Sequence, residues 1–321
     1  MNKVIFLVGL PGSGKSHYAE QLAKQERAII LSSDSIRHEL FGGSSKQKKT
    51  AFLFRKLYER LYKLVERGEN VIVDATNIER DKRIKSLQKM RHFSVQKEAH
   101  FLNTPYEVCL ERNETRKRTV PVHVLRNHHT DLEVPLLGEG FDVVRIIHES
   151  SPYNITKEEL INVVKSEADY HTLFQTLCKI PAFKAIYRFD QENPYHQFLL
   201  CEHTYMLYEY VNEYYAEEDK LVMQLAVLCH DLGKPFTKKF KPLRNAYSYF
   251  RHENVSAQLT YHLLTELGFS QDIIEKVVSF VQFHMVINYG DFHEVTQIYH
   301  LAGADVQSKL YFFREADRFA K

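Results

Sequence analysis

Along the first half of the chain, apolar and polar residues alternate in blocks. Short runs of Val, Ile and Leu ("VIFLVGL" from Val4, "AIILSSD" from Ala28, "NVIVDAT" from Asn70, "EAHFLN" from Glu98, "DVVRIIH" from Asp142) are separated by stretches with helical spacing. Runs so uniformly apolar predict buried strands of a parallel sheet covered by helices on both faces. After the turn-forming cluster "ESSPYN" at 149–154 the strand-like runs stop. From about residue 160 the apolar positions recur at helical intervals, as in Leu221, Leu225 and Leu228, or Ile274, Val277, Val278 and Val281. The pattern predicts an α/β domain over 1–152, a linker over 153–164 and an all-α domain over 165–321.

A length of 321 residues suits two domains. With 44% apolar and 26% charged residues the chain is neither disordered nor fibrous. The first apolar run stops at a glycine loop, which excludes a signal peptide or a membrane span there. Cys109, Cys178, Cys201 and Cys229 form no C-x-x-C pair, so free thiols in a reducing, cytoplasmic setting are expected. The net charge of +2 hides an asymmetry: residues 1–150 hold 26 Lys and Arg against 19 Asp and Glu, the remainder 17 against 22. A basic first half suits a polyanionic ligand, and it also suits a solvated surface.

Candidate chemistry begins with "GLPGSGKS", residues 9–16, which follows an apolar strand and opens a helix. In that context Gly9, Gly12, Ser13 and Gly14 let backbone N–H groups converge on phosphate, Lys15 reaches the β and γ phosphates, and Ser16 holds magnesium. "SSDSIRHEL" places Asp34 at a strand end with Arg37 three residues on. Asp34 is either a helix cap or a general base for an attacking hydroxyl, with Arg37 gripping a neighbouring phosphate. "VIVDATN" ends a strand in Asp74, where a carboxylate can sit near magnesium. "ERNETRKR" sets Arg112 and Arg116 four apart, as solvated surface or as a grip on nucleotide phosphate.

The order "GLPGSGKS", "SSDSIR", "VIVDATN", "ERNETRKR", "VPVHVLR" resembles the phage-type 5′-hydroxyl polynucleotide kinases over residues 1–150. The resemblance implies ATP and magnesium on Lys15 and Ser16, and Asp34 as base. It also implies Arg37 on the acceptor's 3′ phosphate, and Arg112 and Arg116 on the donor phosphates.

In the second half, "AVLCHDLGKP" sets His230 beside Asp231 in an apolar helix. About 0.7 such dipeptides are expected by chance here, so the neighbours decide. His203 in "CEHTYM", His252 in "YFRHENVSA" and His284 in "VQFHMV" lie on other predicted helices, and His284 extends the stripe of Val277 and Val281. Leu310, Phe313 and Asp317 fall at i, i+3, i+7, which turns a carboxylate inward, an expensive placement unless a cation or donor meets it. A lone inward histidine is usually a satisfied core residue. Several imidazoles and carboxylates together suit Mn, Fe, Ni or Zn. These segments resemble the HD phosphohydrolases, especially the HD domains of bacterial CCA-adding enzymes, over about 165–321. The resemblance implies one metal on His203, His230, Asp231 and Asp317, and a second on His252 and His284 with Asp231 bridging. Lys234 would meet the substrate phosphate, His196 would line the pocket, and Asp305 is the alternative to Asp317.

Together the resemblances imply a bifunctional end-healing enzyme for broken RNA, or DNA as well. One half would phosphorylate 5′-OH ends and the other would remove a 2′,3′-cyclic, 3′ or 2′ phosphate. Its partners would be RNA or tRNA fragments and, downstream, an RNA ligase, with no membrane. The rival readings are a nucleoside or small-molecule kinase fused to a nucleotide hydrolase, and a kinase fused to a non-catalytic module that binds tRNA ends.

Overall fold

The run Asn2–Val8 forms β1, and alternation along it sends its side chains into two different cores. Val4 and Phe6 pack with Leu53, Leu57 and Leu61, while Ile5 and Leu7 pack with Ala19, Leu22 and Ile72. The computed structural model describes residues 2–42, 50–116, 119–193 and 197–320, in two units, Met1–Glu149 and Ser150–Lys321.

In the first unit β1 is followed by α1 (Lys15–Glu26), β2 (Ile29–Ser32), α2 (Ser33–Phe41), α3 (Thr50–Glu66), β3 (Val71–Asp74) and α4 (Arg80–Lys89). Then come β4 (Val95–Asn103), α5 (Tyr106–Thr115), α6 (Val122–Asp131) and β5 (Val143–His148). The strands make one parallel sheet in the order β2-β3-β1-β4-β5. Register pairs Leu7 with Asp74 and Ser32 with Asp74, so the glycine loop, Asp74 and the start of α2 gather at the carboxyl edge. The helix α3 forms because Leu53, Leu57, Leu61 and Val65 repeat every four residues and bury one face.

The second unit holds α7 (Lys157–Lys165), α8 (Tyr170–Leu177), α9 (Pro181–Ile186), α10 (Leu200–Tyr214), α11 (Lys220–Cys229) and α12 (Lys234–Thr237). After these come β6 (Lys239–Lys241), β7 (Ala246–Ser248), α13 (His252–Glu266), α14 (Gln271–Tyr289) and α15 (Phe292–Phe319), the last kinked at Gly303. One expectation changes. The stretch 153–164 is no linker: Thr156 and Glu159 form a capping box that starts α7, and Leu160, Val163 and Val164 are buried. The helical expectation for this unit holds, with one short antiparallel hairpin, β6–β7, set among the helices.

Among the described residues no helix is long and apolar enough to cross a membrane, and the four cysteines are free.

Candidate active sites

The glycine loop closes on itself around Lys15. Its Nζ donates to the carbonyls of Gly9 at 2.9 Å and Leu10 at 2.6 Å, and lies 3.4 Å from Ser13 Oγ. Burial pulls the Lys15 ammonium down to about 8 even though Asp74 opposes the shift, while the Arg116 charge adds to it. Gly12 has a positive φ of 90°, and a Cβ there would stand 2.4 Å from the Cys109 carbonyl oxygen, so only glycine fits. Ser16 Oγ donates to Asp74 Oδ2 at 2.9 Å, joining the first turn of α1 to the end of β3. A hydroxyl and a carboxylate in contact beside a phosphate loop are the hard oxygen donors that magnesium takes.

Asp34 sits not at a strand end but in the first turn of α2, exposed, because β2 stops at Ser32. It is not the residue that caps α2: the N-cap position is Ser32. Arg37 is half-buried on the same helix, and its Nε is buried without a hydrogen bond. The arginine pair does not share a helix face, because α5 ends at Thr115 and Arg116 is extended (φ −73°, ψ 145°). Arg112 instead forks onto Glu149, at 2.8 and 2.6 Å.

In the second unit five segments meet. His203 comes from α10, His230 and Asp231 from the end of α11, His252 opens α13, His284 lies on α14 and Asp317 on α15; all six are buried. Each imidazole is oriented by its Nδ1, which donates to a backbone carbonyl: His203 to Ala320 (3.0 Å), His230 to Val227 (2.7 Å), His252 to Tyr249 (2.8 Å) and His284 to Val281 (2.7 Å). A carbonyl only accepts, so the proton of each neutral ring is on Nδ1 and the Nε2 lone pairs point inward.

Those lone pairs converge on one carboxylate. His203 and His230 lie 3.5 and 3.2 Å from Asp231 Oδ2, and His252 and His284 lie 2.9 and 3.9 Å from Oδ1. The Nε2 atoms pair off at 3.3 Å (His203 with His230) and 3.1 Å (His252 with His284). Lone pair facing lone pair at such distances is unfavourable unless a cation or a proton lies between, and Asp231 Oδ1 is buried with no hydrogen bond of its own. Separations of about 3–3.5 Å are those of neighbouring ligands with bonds of about 2 Å to one ion.

Electrostatics favour neutral rings at His203 and His284 and an ionised Asp231. Burial holds His203 down to about 4 and His284 down to about 3. Burial also works against the Asp231 charge, but His230, Lys234 and His252 outweigh it and keep the carboxyl well below its ordinary value. His230 is raised, Asp231 and Asp317 overcoming the effect of burial. Lys234 Nζ lies 2.7 Å from Asp231 Oδ2. Gly233 carries this turn against α13: a Cβ there would stand 2.3 Å from the His252 carbonyl oxygen.

Comparison with known families accounts for both centres. Residues 4–135 match a family described as an AAA domain, and residues 196–321 match one described as an HD domain. The chain joins an AAA-type P-loop domain to an HD domain. A CC-adding tRNA nucleotidyltransferase of Thermus thermophilus is 30% identical over 103 residues, 32% of this chain and 24% of that protein. An L-seryl-tRNA(Sec) kinase of Methanococcus maripaludis is 25% identical over 166 residues, 50% of this chain and 64% of that one. A solved structure of the Pnkp1/Rnl/Hen1 RNA repair complex is 26% identical, covering 41% of this chain and 44% of that chain, with a TM-score of 0.35. The chain thus spans less than two-thirds of the length of each of these relatives.

The HD domain places Asp317 Oδ1 3.5 Å from His203 Nε2, whereas Asp305 is exposed and paired with Lys309 at 2.9 Å. His196 lies outside the described residues. Three residues were missed by sequence reasoning. Asn288 donates to Asp317 Oδ2 at 3.0 Å, and its place one turn after His284 is the signal that would have found it. Gln191 Oε1 accepts from Lys234 Nζ at 2.8 Å, and no local pattern marks it. In the AAA domain, His128 has a buried Nδ1 without a hydrogen bond; burial lowers its pKa and the Lys15 charge adds to that.

Proposed function

We propose that the chain heals the two ends of a nucleic-acid break, phosphorylating a 5′-OH with its AAA domain and clearing a 2′,3′-cyclic or terminal phosphate with its HD domain. The observation that carries this reading is that two centres suited to phosphorus chemistry, a phosphate loop with its Ser16–Asp74 pair and a His/Asp cluster, are built in separate units of one chain. Two relatives named for tRNA substrates, a nucleotidyltransferase and a kinase, favour an RNA-borne acceptor over a free nucleoside.

In the kinase half Lys15 exchanges the Gly9 and Leu10 carbonyls for the β and γ phosphates of ATP. Ser16 and Asp74 would hold magnesium, which would offset charge on the phosphates. Asp34 accepts the proton of the 5′-OH as its oxygen bonds to the γ phosphorus and the bond to ADP breaks. Arg37 holds the acceptor's adjoining phosphate with its unsatisfied Nε–H, and Arg116 closes on the donor.

In the HD half His203, His230, Asp231 and Asp317 would hold one divalent transition metal, and His252, His284 and Asp231 a second. Metals of the Mn, Fe, Ni or Zn kind would supply Lewis acidity and a nucleophilic water. The chain's own residues fix the ligand tautomers through the four Nδ1–carbonyl bonds, and Lys234 offsets phosphate charge next to Asp231.

A 5′-OH oligonucleotide with γ-labelled ATP and magnesium tests the kinase half, and label that never reaches the 5′ end removes it. Elemental analysis tests the other half. One to two transition metals per chain are expected, and fewer than one would turn the HD domain into a binding module.

A further inference from the structure

Between Lys234 and His252 the chain leaves the His/Asp centre, makes the β6–β7 hairpin and returns. Residues 232–252 contain Lys234, Lys238, Lys239, Lys241, Arg244 and Arg251 and no Asp or Glu. Residues 151–321 as a whole hold 17 Lys and Arg against 22 Asp and Glu, so this short stretch gathers six cations in an otherwise acidic half. Lys238 is spoken for, paired with Glu192 at 2.6 Å and lying over the Tyr247 ring at 4.5 Å. Lys239, Lys241 and Arg244 form no ion pair among the described residues.

Apolar surface is interleaved with these charges. Leu243 is fully exposed, Phe250 is 74% and Phe240 46% exposed, and the Arg251 guanidinium lies 5.3 Å over the Phe250 ring. The root of the hairpin is tied to the catalytic cluster: Tyr249 Oη donates to the Gln191 carbonyl, and Gln191 Oε1 accepts from Lys234, which meets Asp231. Cations alone would suit any polyanion. Lys239 and Lys241 lie on one face of β6 and the half-exposed Phe240 on the other, beside Tyr247 at 5.3 Å, with Phe250 at the root of the hairpin. Cations on one face and rings on the other suit a strand that follows the hairpin edge, its charged backbone on one side and its stacking bases on the other.

We propose that the β6–β7 hairpin is the track for a single-stranded polynucleotide whose phosphate-bearing 3′ end enters the HD centre. Lys239, Lys241 and Arg244 contact backbone phosphates, and Phe240 and Phe250 stack bases. The direction of the strand rests on the phosphohydrolase reading; the binding itself does not.

The test measures binding without turnover. A 5′-fluorescein single-stranded RNA ending in a 3′ phosphate is titrated with the full chain in EDTA, across a range of salt. The Phe240→Ala/Phe250→Ala variant should bind about tenfold or more weakly. Lys239→Ala/Lys241→Ala/Arg244→Ala should flatten the log–log salt slope by about 2, at about 0.7 per lost phosphate contact on a single strand. Circular dichroism checks that both variants are folded. Independently of any variant, 4-thiouridine near the 3′ end should crosslink the wild type within 239–251. Wild-type affinity in both variants, no crosslink within 239–251, or tighter binding to phosphatidylserine vesicles than to RNA would each overturn the proposal. If the variants lose RNA while the wild type never removes the 3′ phosphate, the track stands and the phosphohydrolase reading falls. If the phosphate is removed and the variants bind normally, the reverse holds.

Discussion

In the AAA domain eight consecutive residues, Gly9 to Ser16, make most of the candidate phosphate cradle, whereas in the HD domain the clustered His and Asp side chains are spread from His203 to Asp317. The first site is made chiefly of backbone, positioned by a strand end and a helix start, and it needs from elsewhere little more than Asp74. The second is made of side chains, and each of its four histidines is aimed by a backbone carbonyl. A local site depends on a few φ/ψ values. A distributed site depends on the packing of five helical segments, so it is open to damage at more places.

The largest effect should come at the shared carboxylate. Asp231→Ala removes the one group that both histidine pairs face and leaves Lys234 without its carboxylate. We expect the bound transition metal to be lost and 3′-end processing to fall by about a thousandfold or more, while 5′ phosphorylation is kept. Elemental analysis beside two end-specific assays checks this. The counterpart, Lys15→Ala, should lower 5′ phosphorylation by about a hundredfold or more and leave metal content unchanged.

Next come the two glycines. Gly12→Ala forces a side chain onto a φ of 90° and against Cys109, and should disable ATP binding. Gly233→Ala drives a Cβ into the His252 carbonyl and should push α13 outward, lowering metal occupancy and costing about 1–3 kcal/mol of stability. Thermal unfolding and metal content of the two variants compare how each unit tolerates one methyl group.

How far the sequence reveals the molecule follows the same contrast. Every strand of the parallel sheet was visible as an apolar run, and the phosphate loop as one motif with its spacing, because those features are local. From the residues alone the histidines were visible one by one, and the resemblance grouped them around Asp231; which carboxylate oxygen each faces is a consequence of packing. The capping box at Thr156 and Glu159 is written in "ITKEEL", and it starts α7 where the turn-forming residues before it suggest a linker. Gln191 and the pairing of Arg112 with Glu149 were beyond pattern reading, since both depend on distant partners.

Acid should weaken both units. In metal-free protein His203 and His284 stay neutral when folded, with values of about 4 and 3, whereas the unfolded rings bind protons below about 6.5. The unfolded state then holds more protons, so stability is present at neutral pH and is lost as pH falls through about 6.5 toward 4. His129 of the AAA domain is held down to about 4 by burial in the same way, and the raised His230 offsets part of the effect in the HD domain. Thermal unfolding in EDTA across that range should therefore show both units losing stability. The smallest effect is expected at the arginines: Arg116→Ala should lower kinase kcat/KM by about tenfold, and Arg112→Ala, held by Glu149 on the surface, by threefold or less.

The most direct measurement takes one RNA oligonucleotide with a 5′-OH and a 2′,3′-cyclic phosphate, incubated with ATP, magnesium and manganese, and reads both ends by mass spectrometry. Wild type should phosphorylate the 5′ end and open or remove the 3′ phosphate. Lys15→Ala should lose only the first change and Asp231→Ala only the second. A wild type that never alters the 3′ end, or an Asp231→Ala variant that still processes it, would contradict two catalytic centres in one chain.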